Sequence, residues 1–205
     1  MNKLVYCSNM TSINKDQKLH EILKVALRLF AHYGYKKTTL EDVGNELSMT
    51  KSNLYFYITS KRDLYEKTVS SAFKEWQTAV VNAVGQVDDL AEKFSIMAIR
   101  SIEYLNEHNE LRSIFIKDPA IFSLFPSEDP FYEINMGAIR LIEDILTKGI
   151  EQGRFYEMDV QHSAELLFSI YVMFLIKTYV KSEGASAIRM YEEGLKIILR
   201  GMCKS

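Results

Sequence analysis

Along most of the chain apolar residues recur every three or four positions, the interval that gathers side chains on one face of an α-helix. Over residues 15–33, Ile22, Leu23, Ala26, Leu29 and Phe30 share such a face, and Gly34 follows as a stop. Residues 1–14 lack that regularity and read as a flexible arm. A long helix is expected from residue 64 to about 84, ending near Gly85. Asp88 and Asp89 open another that runs to about 108, with Phe94, Met97, Ile102 and Leu105 inside. A short helix over 111–117 leads to Pro119, Pro126 and Pro130, the three prolines of the chain, so the longer stretches carry no such breaker. Two long helices over 130–152 and 160–182, parted by Gly153, Arg154 and Phe155, and a last one over 186–202 complete an all-α reading of about nine or ten helices. The alternation of a β-strand is absent.

Residues 40–64 break this rhythm with three cap signals in quick succession. Thr39 can accept from a free backbone donor while Asp42 reaches back to another, the reciprocal arrangement that starts a helix. Val43 and Leu47 then share a face before the chain turns at Ser48 and Met49. Thr50 caps a second helix, whose first turn is Lys51, Ser52 and Asn53. Ser60, with Asp63 beyond it, caps a third. Short helices so closely spaced must meet at steep angles, as in a helix-turn-helix.

Such a unit can offer one exposed helix to a duplex groove. Lys51, Ser52, Asn53, Phe56 and Tyr57 combine hydrogen-bonding and apolar groups suited to base edges, thymine methyls and phosphates. Thr38, Thr39, Thr50, Tyr57 and Lys61 stand near helix starts, where backbone donors favour a phosphate oxygen. Tyr55, Phe56, Tyr57 and Ile58 also read as an ordinary aromatic core cluster, most plainly Tyr55 and Ile58.

From Ile22 to Val69 the chain resembles the DNA-binding domain of TetR-family transcriptional regulators. The resemblance rests on Ile22, Ala26, Leu29, Phe30, Gly34, Tyr35, Thr38, Thr39, Val43, Leu47, Leu54, Tyr55, Tyr57, Ser60, Lys61 and Leu64, in order and without a gap. Gly44 stands where that family usually has alanine, Ser48 where it usually has the turn glycine, and Ile58 where it usually has phenylalanine. Gly44 should weaken its helix by about 1 kcal/mol relative to alanine. Ser48 would be strained if its turn needs the left-handed geometry that glycine prefers. The resemblance divides the chain into the arm, a helix-turn-helix domain over 15–63, and a helical ligand-binding and dimerisation domain over 64–205.

The charge balance agrees with DNA contact at one end. The chain carries a net charge of −2 over 205 residues, yet residues 1–67 hold eleven Lys/Arg against seven Asp/Glu, whereas 68–205 hold fourteen against twenty. The head is thus +4 and the body −6. Phosphate attraction follows local positive charge, so a mildly basic head suits DNA without strong non-specific binding. Cys7 and Cys203 do not make the disulfide framework of a secreted domain, and a reducing cytoplasm is the expected compartment. The longest uninterrupted apolar run, residues 170–176, falls well short of the roughly 20 residues that span a bilayer, so no membrane partner is expected.

In the body, the helix over 160–182 carries Ala164, Leu167, Phe168, Tyr171, Val172, Leu175, Ile176 and Tyr179, an apolar stripe wider than one core-facing side requires. It reads as packing its own core on one side and a symmetry mate on the other. Paired half-sites on DNA would also call for a dimer. The resemblance implies a four-helix bundle between subunits, which on segments 135–150 and 160–180 selects Ile142, Ile145, Leu146, Leu167, Tyr171 and Leu175. A monomer with a thick core is the alternative.

Trp76, Phe94, Met97, Tyr104, Phe115, Phe122, Phe125, Met136, Tyr171 and Phe174 form a third group, with Phe131 and Tyr132 beside them. Such a stripe at helical spacing is more often packed core, with the lining of an apolar cavity as the other reading. The resemblance favours a cavity for a small apolar effector, with the proline-rich stretch over 118–130 as its gate. It implies a repressor released from a palindromic operator by a shift between two head spacings. Catalysis finds no support. His20, His32, His108 and His162 are scattered, with no metal-ligand spacing, and no phosphate loop or nucleophile elbow occurs. No cofactor or metal is expected. Two rival functions stay open: an all-α lipid-binding or scaffolding protein with a non-specific head, and a constitutive DNA-binding protein without ligand control.

Overall fold

The computed structural model describes residues 3–118, 121, 129–181 and 184–204, with residues 3–14, 184 and 185 described by backbone alone. Nine α-helices run through them: α1 (Lys3–Tyr33), α2 (Leu40–Glu46), α3 (Lys51–Leu54), α4 (Lys61–Gly85), α5 (Leu90–Glu107), α6 (Asn109–Lys117), α7 (Tyr132–Glu151), α8 (Val160–Leu175) and α9 (Gly184–Met202). The all-α architecture is as expected, and Phe155 with Cys203 forms the sole isolated β-bridge among the described residues. Two compact units divide the chain at Ala72 and Phe73, part-way along α4 rather than at its start. The stretch 3–14, expected as an arm, is helical; no proline or glycine precedes Gly34 to interrupt it.

In the first unit Ile22, Ala26, Phe30, Val43, Leu54, Ile58, Leu64 and Val69 are buried, and the Tyr65 ring meets Phe30 edge-on at 5.1 Å. Each expected cap forms. The Thr39 hydroxyl accepts from the Asp42 N–H at 3.1 Å, and the Asp42 carboxylate accepts from the Thr39 N–H at 2.7 Å. Thr50 accepts from the Asn53 N–H at 3.2 Å, and Ser60 from the Asp63 N–H at 3.0 Å. These bonds satisfy donors that a helix start otherwise leaves free.

The turn between α2 and α3 explains both of its unusual residues. Ser48 has φ 52°, the left-handed region, at a cost of about 1–2 kcal/mol for a residue with a side chain. The Met49 N–H donates to the Gly44 carbonyl at 2.8 Å, bringing the two backbones so close that a Cβ at Gly44 would lie 2.6 Å from the Met49 carbonyl oxygen. Gly44 is therefore needed for close approach, a role that its helix propensity alone conceals.

The second unit is built round Phe94, Ile142, Ile145, Leu146, Phe155 and Ala164, all buried. Asp89 caps α5 by accepting from the Glu92 N–H at 2.9 Å, and Asp159 caps α8 through the His162 N–H at 3.0 Å. Between α7 and α8 the chain reverses at Gly153, φ 69°, and seats the Phe155 ring against Gly149, where a Cβ would fall 1.9 Å from a ring carbon. The Tyr156 N–H donates to Met202 and the Lys204 N–H to Arg154, so the end of α9 is tied to this reversal. Beyond α8 the helix widens into a π turn over Ile176–Val180. The Thr178 and Tyr179 hydroxyls are buried there without a hydrogen-bond partner among the described residues.

Candidate nucleic-acid interface and internal cavity

α3 is short because its caps and turns are local, and Leu54 anchors it in the core with no measurable exposure. Its other side points outward: Thr50, Lys51, Ser52 and Asn53 are exposed, as is Phe56 at 73%. Phe56 and the exposed Tyr55 beside it offer apolar contact, and their neighbours supply donors and acceptors for base edges. Tyr55, which also read as core, is 49% exposed, whereas Ile58 is buried as the core reading had it. Tyr57 is half-buried.

Thr38 does not belong to this surface. It is 1% exposed, and its hydroxyl donates to the carbonyls of Leu29 at 3.3 Å and Gly34 at 3.0 Å, tying the end of α1 to the start of α2. Its expected phosphate contact is withdrawn on that ground. Thr39 is exposed, and its hydroxyl is shared with Asp42. Lys61 lies 4.6 Å over the Tyr35 ring and donates to the Lys36 carbonyl at 3.2 Å. Lys51 pairs with Glu41 at 2.7 Å. Their hydrogen bond lowers the pKa of the Glu41 carboxyl and raises that of the Lys51 ammonium, keeping both charged.

Within the second unit α4, α5, α7 and α8 enclose a cavity of about 620 Å³, within the range of small-molecule sites. Of the residues expected there, Trp76, Met97, Phe115, Met136 and Tyr171 line it, as does Tyr132. Three do not. Phe94 packs beside Phe155 at 6.4 Å, Tyr104 stacks on His108 at 3.7 Å, and Phe174 lies 4.4 Å from Tyr191, all in close-packed surroundings. Phe122 and Phe125, with most of the expected gate, lie outside the described residues. Burial raises the pKa of the Tyr171 phenol, and a hydrogen bond with Ser101 opposes that rise.

Residues 22–68 match the family model of bacterial regulatory proteins of the tetR family. Those residues form a TetR-family DNA-binding domain. Over 175 residues it is 26% identical to the biofilm operon icaADBC HTH-type negative transcriptional regulator IcaR of Staphylococcus aureus, a match covering 84% of this chain and 88% of that protein. It is 25% identical over 191 residues to the HTH-type transcriptional repressor KstR2 of Mycolicibacterium smegmatis, covering 90% of each. Among solved structures, FadR of Bacillus subtilis in complex with stearoyl-CoA superposes with a TM-score of 0.74 at 16% identity, over 89% of this chain and 98% of that one. A regulator of Saccharomonospora viridis in complex with choline gives 0.74 at 18%, over 93% and 100%. These structures share the fold. The protein is thus a DNA-binding transcriptional regulator, as its relatives are, and not an enzyme.

In the second unit the residues expected between subunits sit elsewhere. Ile142, Ile145, Leu146 and Leu175 are at most 2% exposed and belong to the subunit's own interior. Leu167 packs on the core cluster, and Tyr171 lines the cavity. The apolar surface of α8 is instead Leu166, Ile170 and Met173, at i, i+4 and i+7, and α9 exposes Met190 and Ile197. With its π turn, the helix over Val160–Val180 has 21 residues and a mean hydropathy of 1.4, long and apolar enough by length and composition to cross a membrane, and 28% of that window is buried in the subunit. Counting only unbroken apolar runs hid this, because single polar residues interrupt the helix.

The reading from sequence also missed polar residues of the cavity: Gln77, Asp129, Asn135 and Glu165. Glu165 was within reach of it. Phe168, Ser169, Val172 and Ile176 follow at helical intervals and line the same wall, so periodicity alone places a carboxylate among apolar neighbours.

Proposed function

We propose that this regulator is a homodimeric repressor that binds a palindromic operator through α3 and releases it when a small, largely apolar effector fills the cavity. The exposed face of α3, with Ser52, Asn53 and Phe56 set beside Lys51, carries the DNA part of this reading. Phe56 supplies apolar contact to a thymine methyl, Ser52 and Asn53 hydrogen bonds to base edges, and Lys51 a phosphate contact after exchanging Glu41. Thr39, Thr50, Tyr57 and Lys61 are the remaining candidate contacts. Repression is favoured because the relatives' names state negative regulation and repression.

Dimerisation through Leu166, Ile170 and Met173 of α8 and Met190 and Ile197 of α9 would cover the apolar surface that the subunit leaves open. Such a dimer, in the cytoplasm with its DNA, accounts for the hydropathy of α8 without a bilayer. Two structural neighbours hold stearoyl-CoA and choline, ligands so unlike that they support an effector site without choosing its occupant. Effector release works as a population shift: a ligand that prefers the DNA-incompetent state by about 1.4 kcal/mol lowers operator affinity tenfold. Helix α4 contributes to both units and is the route by which filling the cavity would reach the head.

Selection from a random duplex pool by the purified protein tests the DNA reading. An enriched palindrome with two half-sites is expected. No enrichment from folded, ligand-free dimer would sink it in favour of a scaffolding or lipid-binding role.

A further inference from the structure

The walls of the cavity are charged in one sense only. Among the described lining residues Asp129 and Glu165 are the charged groups, and no Lys, Arg or His accompanies them. The Asp129 carboxylate accepts from the Phe131 N–H at 2.8 Å and from the Asn135 amide at 2.7 Å, contacts that orient it without neutralising it. Glu165 is an exposed residue at the edge of the cavity and accepts from the Gln161 amide at 3.3 Å. His162, one turn before Glu165, stands outside the lining and pairs with Asp159 at 2.9 Å. Around the carboxylates stand Trp76, Phe115, Tyr132, Phe168 and Tyr171. Ring faces attract a cation and repel an anion, as carboxylates do.

Resting on the effector reading above, we infer that the cavity selects a lipophilic organic cation, a protonated amine or quaternary onium on an apolar body, whose charge is met by Asp129 and Glu165. A ligand with an anionic headgroup would meet two carboxylates and no basic partner. A small hydrophilic cation would gain little from the apolar remainder of the wall. The class that satisfies both features carries its charge on a body large enough to occupy much of the 620 Å³.

The test uses a matched pair of ions, tetraphenylphosphonium and tetraphenylborate, alike in size and shape and opposite in charge. Trp76 is the only tryptophan in the chain and lines the cavity, so its fluorescence reports occupancy of the full-length protein directly. The phosphonium should bind saturably and at least tenfold more tightly than the borate. Glu165→Gln, which leaves the Asp129 contacts untouched, should reduce phosphonium affinity severalfold, and the Asp129→Asn/Glu165→Gln double variant should erase the preference. Equal affinities, preference for the borate, silence of Trp76 towards both ions, or a preference that survives in a folded double variant would each overturn the inference. Operator affinity measured in the same titrations separates the two readings. If the borate fills the cavity preferentially and releases DNA, the cation assignment fails and effector control stands. Selective phosphonium binding that leaves DNA affinity unchanged supports the cation site and refutes effector release.

Discussion

Replacing Gly44 by alanine sets two effects of opposite sign against each other. Helix propensity favours alanine by about 1 kcal/mol, and less near the end of a helix as short as α2. Against this, the new Cβ would stand 2.6 Å from the Met49 carbonyl oxygen, inside the 3.0 Å that real Cβ atoms essentially never breach. The obstacle is backbone, already fixed by the Met49 to Gly44 hydrogen bond, so relief requires the whole turn to move. Overpacking of this kind costs about 1–3 kcal/mol. We expect Gly44→Ala to be destabilising by about 1 kcal/mol, lowering the melting temperature of a chain this size by about 2–4 °C in far-ultraviolet circular dichroism. Ser48→Gly should act in the opposite direction. It removes a left-handed penalty of about 1–2 kcal/mol and adds about 0.4–1 kcal/mol of unfolded-state entropy, for a net gain between about 0 and 1.6 kcal/mol. A glycine at 48 also lets the turn retreat, so the double variant should lose less than the two single effects predict together. A Gly44→Ala protein that melts at or above the parent temperature would refute the steric argument.

Lys51→Ala should lower the salt dependence of operator binding by about 0.9 in log–log slope per subunit, the signature of one lost phosphate contact; Glu41→Gln, which frees Lys51, should tighten binding severalfold at low salt in an anisotropy titration. Phe56→Ala should relax sequence preference in a selection experiment and leave stability within about 0.5 kcal/mol, since an exposed side chain supports little packing. Met173→Glu with Ile197→Glu should yield monomers in analytical ultracentrifugation; persistent dimers would exclude this face as the interface. Gly149→Ala should cost about 2–4 kcal/mol in urea unfolding, because the Phe155 ring must vacate a site where it is 1% exposed.

Local chemistry was legible in the sequence, and sidedness only partly so. The caps at Thr39, Thr50 and Ser60 need only a hydroxyl and a donor three residues away, and each formed as expected. Thr38 carries the same hydroxyl, but its fate depends on Leu29 and Gly34, brought to it by packing. On α7 and α8 the apolar residues were identified correctly while their directions were not. Ile142, Ile145 and Leu146 fill the subunit, and Leu166 with Ile170 faces out. Periodicity groups side chains on a face without saying what lies opposite. The aromatics show the same limit. Trp76 and Tyr171 line the cavity, whereas Phe94 and Phe174 pack against rings away from it, a distinction that no one-dimensional pattern contains.

The tie between the end of α9 and the α7–α8 reversal gives residues 202–204 an uncommon standing. Residues that follow the last turn of a helix usually exchange their amide hydrogens early, because no further turn holds them. Here the Lys204 amide is bonded to Arg154 and the Tyr156 amide to Met202, spanning a loop that contains all of α8 and α9. Residues 202–204 should therefore open with the body as one cooperative unit, and removing them would loosen a segment some fifty positions long.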